Sequence, residues 1–149
     1  MTTRNFAMVL GVIYIVVGVL GFVPPLLTSP TDAPPLAVNQ AYGYLFGLFP
    51  VNILHSLVHL AVGVWGVFAA RSSLGVLGGA RTYAASVAII FGVLTVMGFI
   101  PRLNTVFGLI PLFGHDVWLH ALTAIVAAYF GFGESRMAEE LRDRTRRAA

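Results

Sequence analysis

The chain has 149 residues, of which 58% are hydrophobic and only 10% are charged, and it contains no cysteine. This balance excludes a water-soluble domain and predicts an integral membrane protein with room for one small bundle of spanning helices. The missing cysteines exclude disulfides, iron–sulfur clusters and thiolate metal sites. All nine basic residues are arginines, and their placement suits orientation in a membrane rather than binding to nucleic acid.

Four apolar runs follow one another along the chain, and each approaches the roughly 20 residues that cross a bilayer. We predict transmembrane helices over residues 6–23, 51–70, 83–100 and 117–132. The first connection begins with a proline-rich, extended half. For Asn39–Phe49, where aromatic residues stand among glycines, we expect a short interfacial or re-entrant helix. The membrane domain then covers residues 1–133, and residues 134–149 form a charged cytoplasmic tail.

The arginines are divided unequally between the two sides that four spans create. Arg4, Arg71, Arg81 and the tail arginines fall on one side, whereas the opposite loops hold only Arg102. The positive-inside rule therefore predicts that both termini lie in the cytoplasm. It follows that the second and fourth helices begin near the outer face.

Polar residues in the second and fourth helices recur at helical spacing. Asn52, His55, Ser56 and His59 are separated by steps of three and four residues, which return to one face of a helix. The fourth helix carries a similar polar start, with His115, Asp116, His120 and Thr123. Because lipid cannot hydrogen-bond an imidazole, these faces are expected to point into the bundle.

The chain contains the same two-helix unit twice. Gly21-Phe22-Val23-Pro24 recurs as Gly98-Phe99-Ile100-Pro101, Phe46-Gly47-Leu48-Phe49-Pro50 as Phe107-Gly108-Leu109-Ile110-Pro111, and Leu54-His55-Ser56-Leu57 as Leu119-His120-Ala121-Leu122. Two such units in tandem share one orientation, so the sequence predicts an all-α, four-transmembrane-helix bundle built from two tandem parallel two-helix repeats. His55 and His120 would then be symmetry mates that face one another across the bundle.

At these residues the chain resembles a family of small four-helix bacterial integral membrane proteins catalogued as a domain of unknown function. The resemblance is carried by Asn52-x-x-His55-x-x-x-His59 and by Asp116-x-x-x-His120, and it covers about Arg4–Gly133. It implies the four-helix fold and a location in the bacterial inner membrane. It implies no activity.

The histidines have the spacing of metal ligands. His55 and His59 can present two imidazoles to one ion from a single helix, while Asp116 and His120 can complete the sphere from another, with His115 just above. Imidazoles and a carboxylate suit zinc, copper, iron or nickel. Alternatively, His55 and His120 can bind a haem-type iron axially. Asn52, Ser56 and Thr123 are the supporting residues in either case.

Two other interpretations stay open. The polar cluster can be purely structural in an accessory subunit of a larger membrane complex, with Asn52 and Asp116 as ordinary N-caps. The protein can also be a small channel or carrier, although only apolar and small residues lie below His59 and Thr123. No motif of a conventional enzyme is present. Small residues predict close helix packing or self-association, at Gly11, Gly18, Gly63, Gly66 and Gly92.

Overall fold

Four long helices dominate the computed structural model, which describes residues 1–72 and 79–133; the predicted tail, 134–149, lies outside the described residues. The helices are α1 (Thr3–Leu20), α2 (Ile53–Arg71), α3 (Ala80–Phe99) and α4 (His115–Ala128), and α4 continues as a π-helical turn, Tyr129–Gly133. Each is long and apolar enough to cross a membrane when that turn is counted with α4. The predicted all-α four-helix membrane bundle is confirmed, and this is a multi-pass membrane protein.

The helix ends follow local sequence signals. Thr2 Oγ1 accepts a hydrogen bond from the Asn5 backbone N–H (3.2 Å) at the start of α1, and Asn52 Oδ1 does the same for His55 (2.9 Å) at the start of α2. Helix α3 ends just before Pro101, because the residue that precedes a proline disfavours helical backbone.

Glycines bring the two helices of each hairpin into backbone contact. A Cβ atom on Gly11 would lie 2.7 Å from the Val67 nitrogen, and one on Gly63 would lie 2.6 Å from the Ile15 nitrogen. Small residues permit this approach in membranes. Gly92 has nothing within 4 Å of the equivalent position, so the packing role predicted for it is wrong. Among the described glycines, a Cβ atom would come within 3.0 Å of another part of the chain at Gly11, Gly18, Gly21, Gly43, Gly63, Gly66, Gly98 and Gly131.

The core lies toward the end of the bundle where α1 begins. Phe6 stacks on Phe130 with ring centroids 4.6 Å apart, and Tyr83 is fully buried beside them. Alanines from all four helices fill the remaining space. At the same end, Arg81 Nε donates to the Gly131 carbonyl (3.1 Å) and ties α3 to the turn that follows α4.

The first connection forms a small antiparallel sheet with strand order β1 (Leu27–Thr28), β2 (Gly43–Leu45) and β3 (Phe49–Val51). A single 3-10 turn, Pro24–Leu26, precedes it. The expected interfacial or re-entrant helix over Asn39–Phe49 is therefore wrong. Phe46 and Gly47 have φ angles of +55° and +70°, which reverse the chain and which a right-handed helix cannot contain.

The same turn recurs in the second connection, as the repeat predicts. Phe107 and Gly108 also have positive φ angles, +57° and +85°. The Leu48 N–H donates to the Leu45 carbonyl (3.1 Å) in the first turn, and the Leu109 N–H donates to the Val106 carbonyl (3.2 Å) in the second. The two turns thus share a left-handed Phe-Gly pair, a conformation that few non-glycine residues adopt, and they differ just before it, since Val106 also has a positive φ (+45°) whereas Leu45 lies in β2.

Candidate metal centre

Helices α2 and α4 bring three imidazoles together near the end of the bundle that carries both long connections. His55 and His59 lie one turn apart on α2 with ring centroids separated by 4.5 Å, and the His55 and His120 centroids are 6.0 Å apart. One potential ligand nitrogen from each ring lies within 4.8 Å of the other two. All three side chains are buried.

Asp116 adds a buried carboxylate one turn before His120. Its Oδ2 lies 3.6 Å from His120 Nδ1, and its Oδ1 lies 4.0 Å from His55 Nε2. Within the described part of the chain, these two histidines are its only ionisable partners at salt-bridge distance. The proposed role of Asp116 as an N-cap is wrong, because α4 begins at His115 and the cap position belongs to Gly114.

The proton position on His59 follows from its hydrogen bond. Nδ1 lies 2.9 Å from the backbone oxygen of His55, and a carbonyl oxygen can only accept. Nδ1 therefore donates, which leaves the Nε2 lone pair of the neutral ring available. The Tyr14 ring stacks on the His59 ring, with the two ring centroids 4.9 Å apart. Metal-binding histidines characteristically donate their second ring N–H to a carbonyl or carboxylate in this way.

Several polar atoms of the cluster are buried without a hydrogen bond. Among the described residues, no hydrogen bond of normal geometry reaches His120 Nδ1, Asp116 Oδ2 or either ring nitrogen of His55, which has only a weaker contact with the Pro50 backbone. Buried polar groups are normally paired, since an unpaired one costs about 1–3 kcal/mol. Groups that converge unpaired on one point are what a bound ion or water would satisfy.

Asn52, predicted as a supporting residue, links the two connections next to the imidazole cluster. It is fully buried, and its Nδ2 donates to the carbonyl oxygens of Val38 (2.9 Å) and Leu109 (2.6 Å). Its oxygen caps α2 through His55, so all of its polar atoms are engaged. The side chain thereby joins the two connections above the imidazoles and fixes where α2 starts.

The other predicted site residues lie in different surroundings. His115 is exposed at the start of α4 and is not in the group of three imidazoles. Ser56 is buried against Gly21, the residue that follows α1. Thr123 accepts a hydrogen bond from the Tyr14 hydroxyl (3.3 Å), one turn below His120. The structure therefore brings together His55, His59, His120 and Asp116, and leaves His115 outside.

Two cavities border the cluster. One of about 210 Å³ lies mainly between α2 and α3 and contacts all three imidazoles. The other, of about 190 Å³, lies between α1 and α4 and reaches His59, Tyr14 and Thr123. Apart from these groups the walls are apolar, so the imidazoles face space that offers them no protein partner.

Two aromatic residues of the site were missed by the sequence analysis. Tyr14 stacks on His59, and Phe91 packs edge-on against His120 at 4.9 Å. Their rings meet at 5.4 Å. The repeat could have indicated this pair. Tyr14 and Phe91 are 77 residues apart, which is also the separation of Pro24 and Pro101 in the repeated segments at the ends of α1 and α3.

Comparison with known proteins identifies a family but no activity. A family model described as Domain of unknown function (DUF4383) matches residues 4–133, which is most of the chain. No curated protein and no solved structure matches the chain significantly.

Proposed function

This chain belongs to the DUF4383 family, and we propose that it is a membrane protein that binds one divalent transition-metal ion between α2 and α4. The observation that carries the proposal is the convergence of His55, His59 and His120, buried, with ligand nitrogens within 4.8 Å of one another. Histidine is the commonest metal ligand in proteins, and three imidazoles with an open position are a known catalytic zinc set.

The spacing of the imidazoles fits an ion after small side-chain movements. Metal–nitrogen bonds of about 2.0–2.1 Å in a tetrahedral site place ligand atoms about 3.3 Å apart. The nitrogens lie within 4.8 Å of one another, so no pair has to approach by more than about 1.5 Å to reach that separation. The absence of cysteine leaves nitrogen and oxygen ligands, which suit zinc, iron, nickel or copper(II).

A metal ion fits better than a haem. Cofactor sites usually measure about 300–1,000 Å³, whereas the cavities beside the cluster measure about 210 and 190 Å³. The His59 ring also lies 4.5 Å from the His55 ring, in the space that a macrocycle on His55 would need. The haem interpretation therefore has weaker support than the ion.

Each residue has a distinct part in the proposed site. His59 would bind through Nε2, because its Nδ1 proton is held by the His55 carbonyl. Asp116 lies beside His120 and His55, where its carboxylate can orient these rings and offset part of the charge of the ion. Asp116 has no arginine or lysine partner in the described part of the chain, so a bound cation would offset the cost of burying its carboxylate.

The site is proposed to lie near the outer face of a bacterial inner membrane, with both termini in the cytoplasm. The arginine distribution supports this orientation. The channel hypothesis has little support, because alanines and stacked aromatic rings fill the described bundle at the opposite end.

Metal analysis of the purified protein tests the proposal. We expect about one divalent transition-metal ion per chain. Replacing it with cobalt(II) should give the absorption bands of a tetrahedral nitrogen site. His55→Ala, His59→Ala and His120→Ala should lose the metal, whereas the matched control His115→Ala, which changes the exposed histidine, should retain it. Equal metal content in all four variants, or no metal in the parent, would show that the ligand assignment is wrong.

A further inference from the structure

We propose that the space between α2 and α3 is an entrance from the bilayer through which an uncharged, lipid-soluble molecule of about the size of one ring reaches the imidazoles. The inference adds a ligand to the proposed metal site, although access through the entrance does not require the ion to be bound. We call this space the α2–α3 entrance; it is lined by Val58 and Val62 of α2 and by Ile90 and Leu94 of α3.

The entrance lies where the two hairpins meet. Within each hairpin, glycines bring backbones together, and a Cβ on Gly63 or Gly131 would clash with backbone atoms of the neighbouring helix. Among the described glycines of α2 and α3, none brings the backbones of these two helices together beside the cavity. Val58 and Ile90 are 43% and 46% exposed on the surface that faces lipid, whereas the imidazoles behind them are buried. The cavity therefore runs from the lipid-facing surface to the cluster.

The other end of the cavity is closed by the second connection. Ile110 and Leu112 line it there, and Leu112 is only 1% exposed. Hydrogen bonds hold this connection in place, since the Ala37 N–H donates to the Gly108 carbonyl (2.8 Å) and Asn52 donates to the Leu109 carbonyl. Access from the aqueous side is thus obstructed while the lipid side is flanked only by side chains.

The lining indicates the chemistry of the ligand. The walls are aliphatic and aromatic apart from the three imidazole rings and Tyr14, and the surface that faces the cavity is almost entirely apolar. A charged solute would lose its hydration without compensation along these walls. An apolar molecule meets no such cost. Its size follows from the volume, because an apolar cavity of about 150 Å³ accommodates benzene and this one measures about 210 Å³.

Photolabelling in lipid nanodiscs tests the entrance. The probe is a lipid-soluble aryl diazirine of one ring, activated by light, with the adducts located by peptide mass spectrometry. We expect adducts on His55 and His120, which are nearly inaccessible to solvent and, of the two cavities described, contact the one that opens through the entrance. His59 contacts both cavities and is therefore not used to judge the result.

Matched tryptophan variants supply the control. Val62→Trp should fill the entrance and largely remove the adducts on His55 and His120. Val64→Trp changes a residue of the same helix that is 60% exposed, and it should not reduce these adducts. If Val62→Trp does not fold, Leu94→Trp fills the entrance from α3, with Val93→Trp as its exposed control.

The outcomes separate the two proposals. Labelling of lipid-facing residues without adducts on His55 and His120, or adducts that persist in a folded, filled variant, would overturn the entrance. Metal content is measured in the same preparations. Labelled imidazoles in protein that binds no metal would refute the metal proposal alone, and metal-loaded protein whose imidazoles stay unlabelled after removal of the ion would refute the entrance alone.

Discussion

Replacing Asn52 with alanine should destabilise the end of the bundle that holds the imidazoles. The buried side chain donates to the Val38 and Leu109 carbonyls and caps α2 through the His55 N–H. Each buried hydrogen bond contributes about 0.5–1.5 kcal/mol, and loss of an N-cap costs about 0.5–2 kcal/mol. The two bonds and the cap together predict that the free energy of unfolding falls by about 3 kcal/mol.

Reversible unfolding by SDS in mixed micelles, followed by circular dichroism, measures this change. Asn52→Asp separates the contribution of the N-cap from that of the two hydrogen bonds, because aspartate keeps the capping oxygen but cannot donate to either carbonyl. The free energy of unfolding of Asn52→Asp should therefore remain well below that of the parent protein. Asn39→Ala, at an exposed position in the same connection, should stay within about 0.5 kcal/mol. Full stability in Asn52→Asp would refute the idea that this residue joins the two connections, and full stability in Asn52→Ala would refute the whole account.

Two further substitutions test the site and the packing. Asp116→Asn should weaken metal binding about 10–100-fold, as loss of an orienting carboxylate does, measured by competition with a chromogenic chelator; an unchanged affinity would remove Asp116 from the site. Gly63→Ala should lower the free energy of unfolding by about 1–3 kcal/mol, because its Cβ would lie 2.6 Å from the Ile15 backbone nitrogen. The matched Gly92→Ala meets no atom within 4 Å and should be neutral in the same titration, so equal effects at the two glycines would contradict the packing described.

The helices and the polar face of α2 could be predicted because their signals are local. An apolar run of sufficient length predicts each long helix, and the observed ends lie within three residues of the predicted ones when the π-helical turn Tyr129–Gly133 is counted with α4. The three- and four-residue steps from Asn52 to His59 place these side chains on one face, and all of them are buried. The repeat then predicted that His55 and His120 face one another, and their centroids lie 6.0 Å apart.

Other features could not be predicted because they depend on distant parts of the chain. The strand Gly43–Leu45 is held by pairing with Leu27–Thr28, and the residues of Asn39–Phe49 alone do not indicate that partner. Asp116 looks like a cap in sequence, yet the cap is Gly114, which has a positive φ, so the helix starts two residues earlier and the Asp116 carboxylate is buried. His115 is adjacent to Asp116 but lies on the exposed face, which only the start of the helix determines.

The relation between the two halves limits how many ligands a symmetric ancestor could supply. The offset of 65 that pairs His55 with His120 pairs His59 with Ala124 and Asp116 with Val51. Two identical hairpins around a twofold axis can offer equivalent donors only in even numbers. A cluster of three imidazoles with one carboxylate beside it therefore requires two halves that differ in sequence, and a single polypeptide lets each half diverge without imposing the same change on the other.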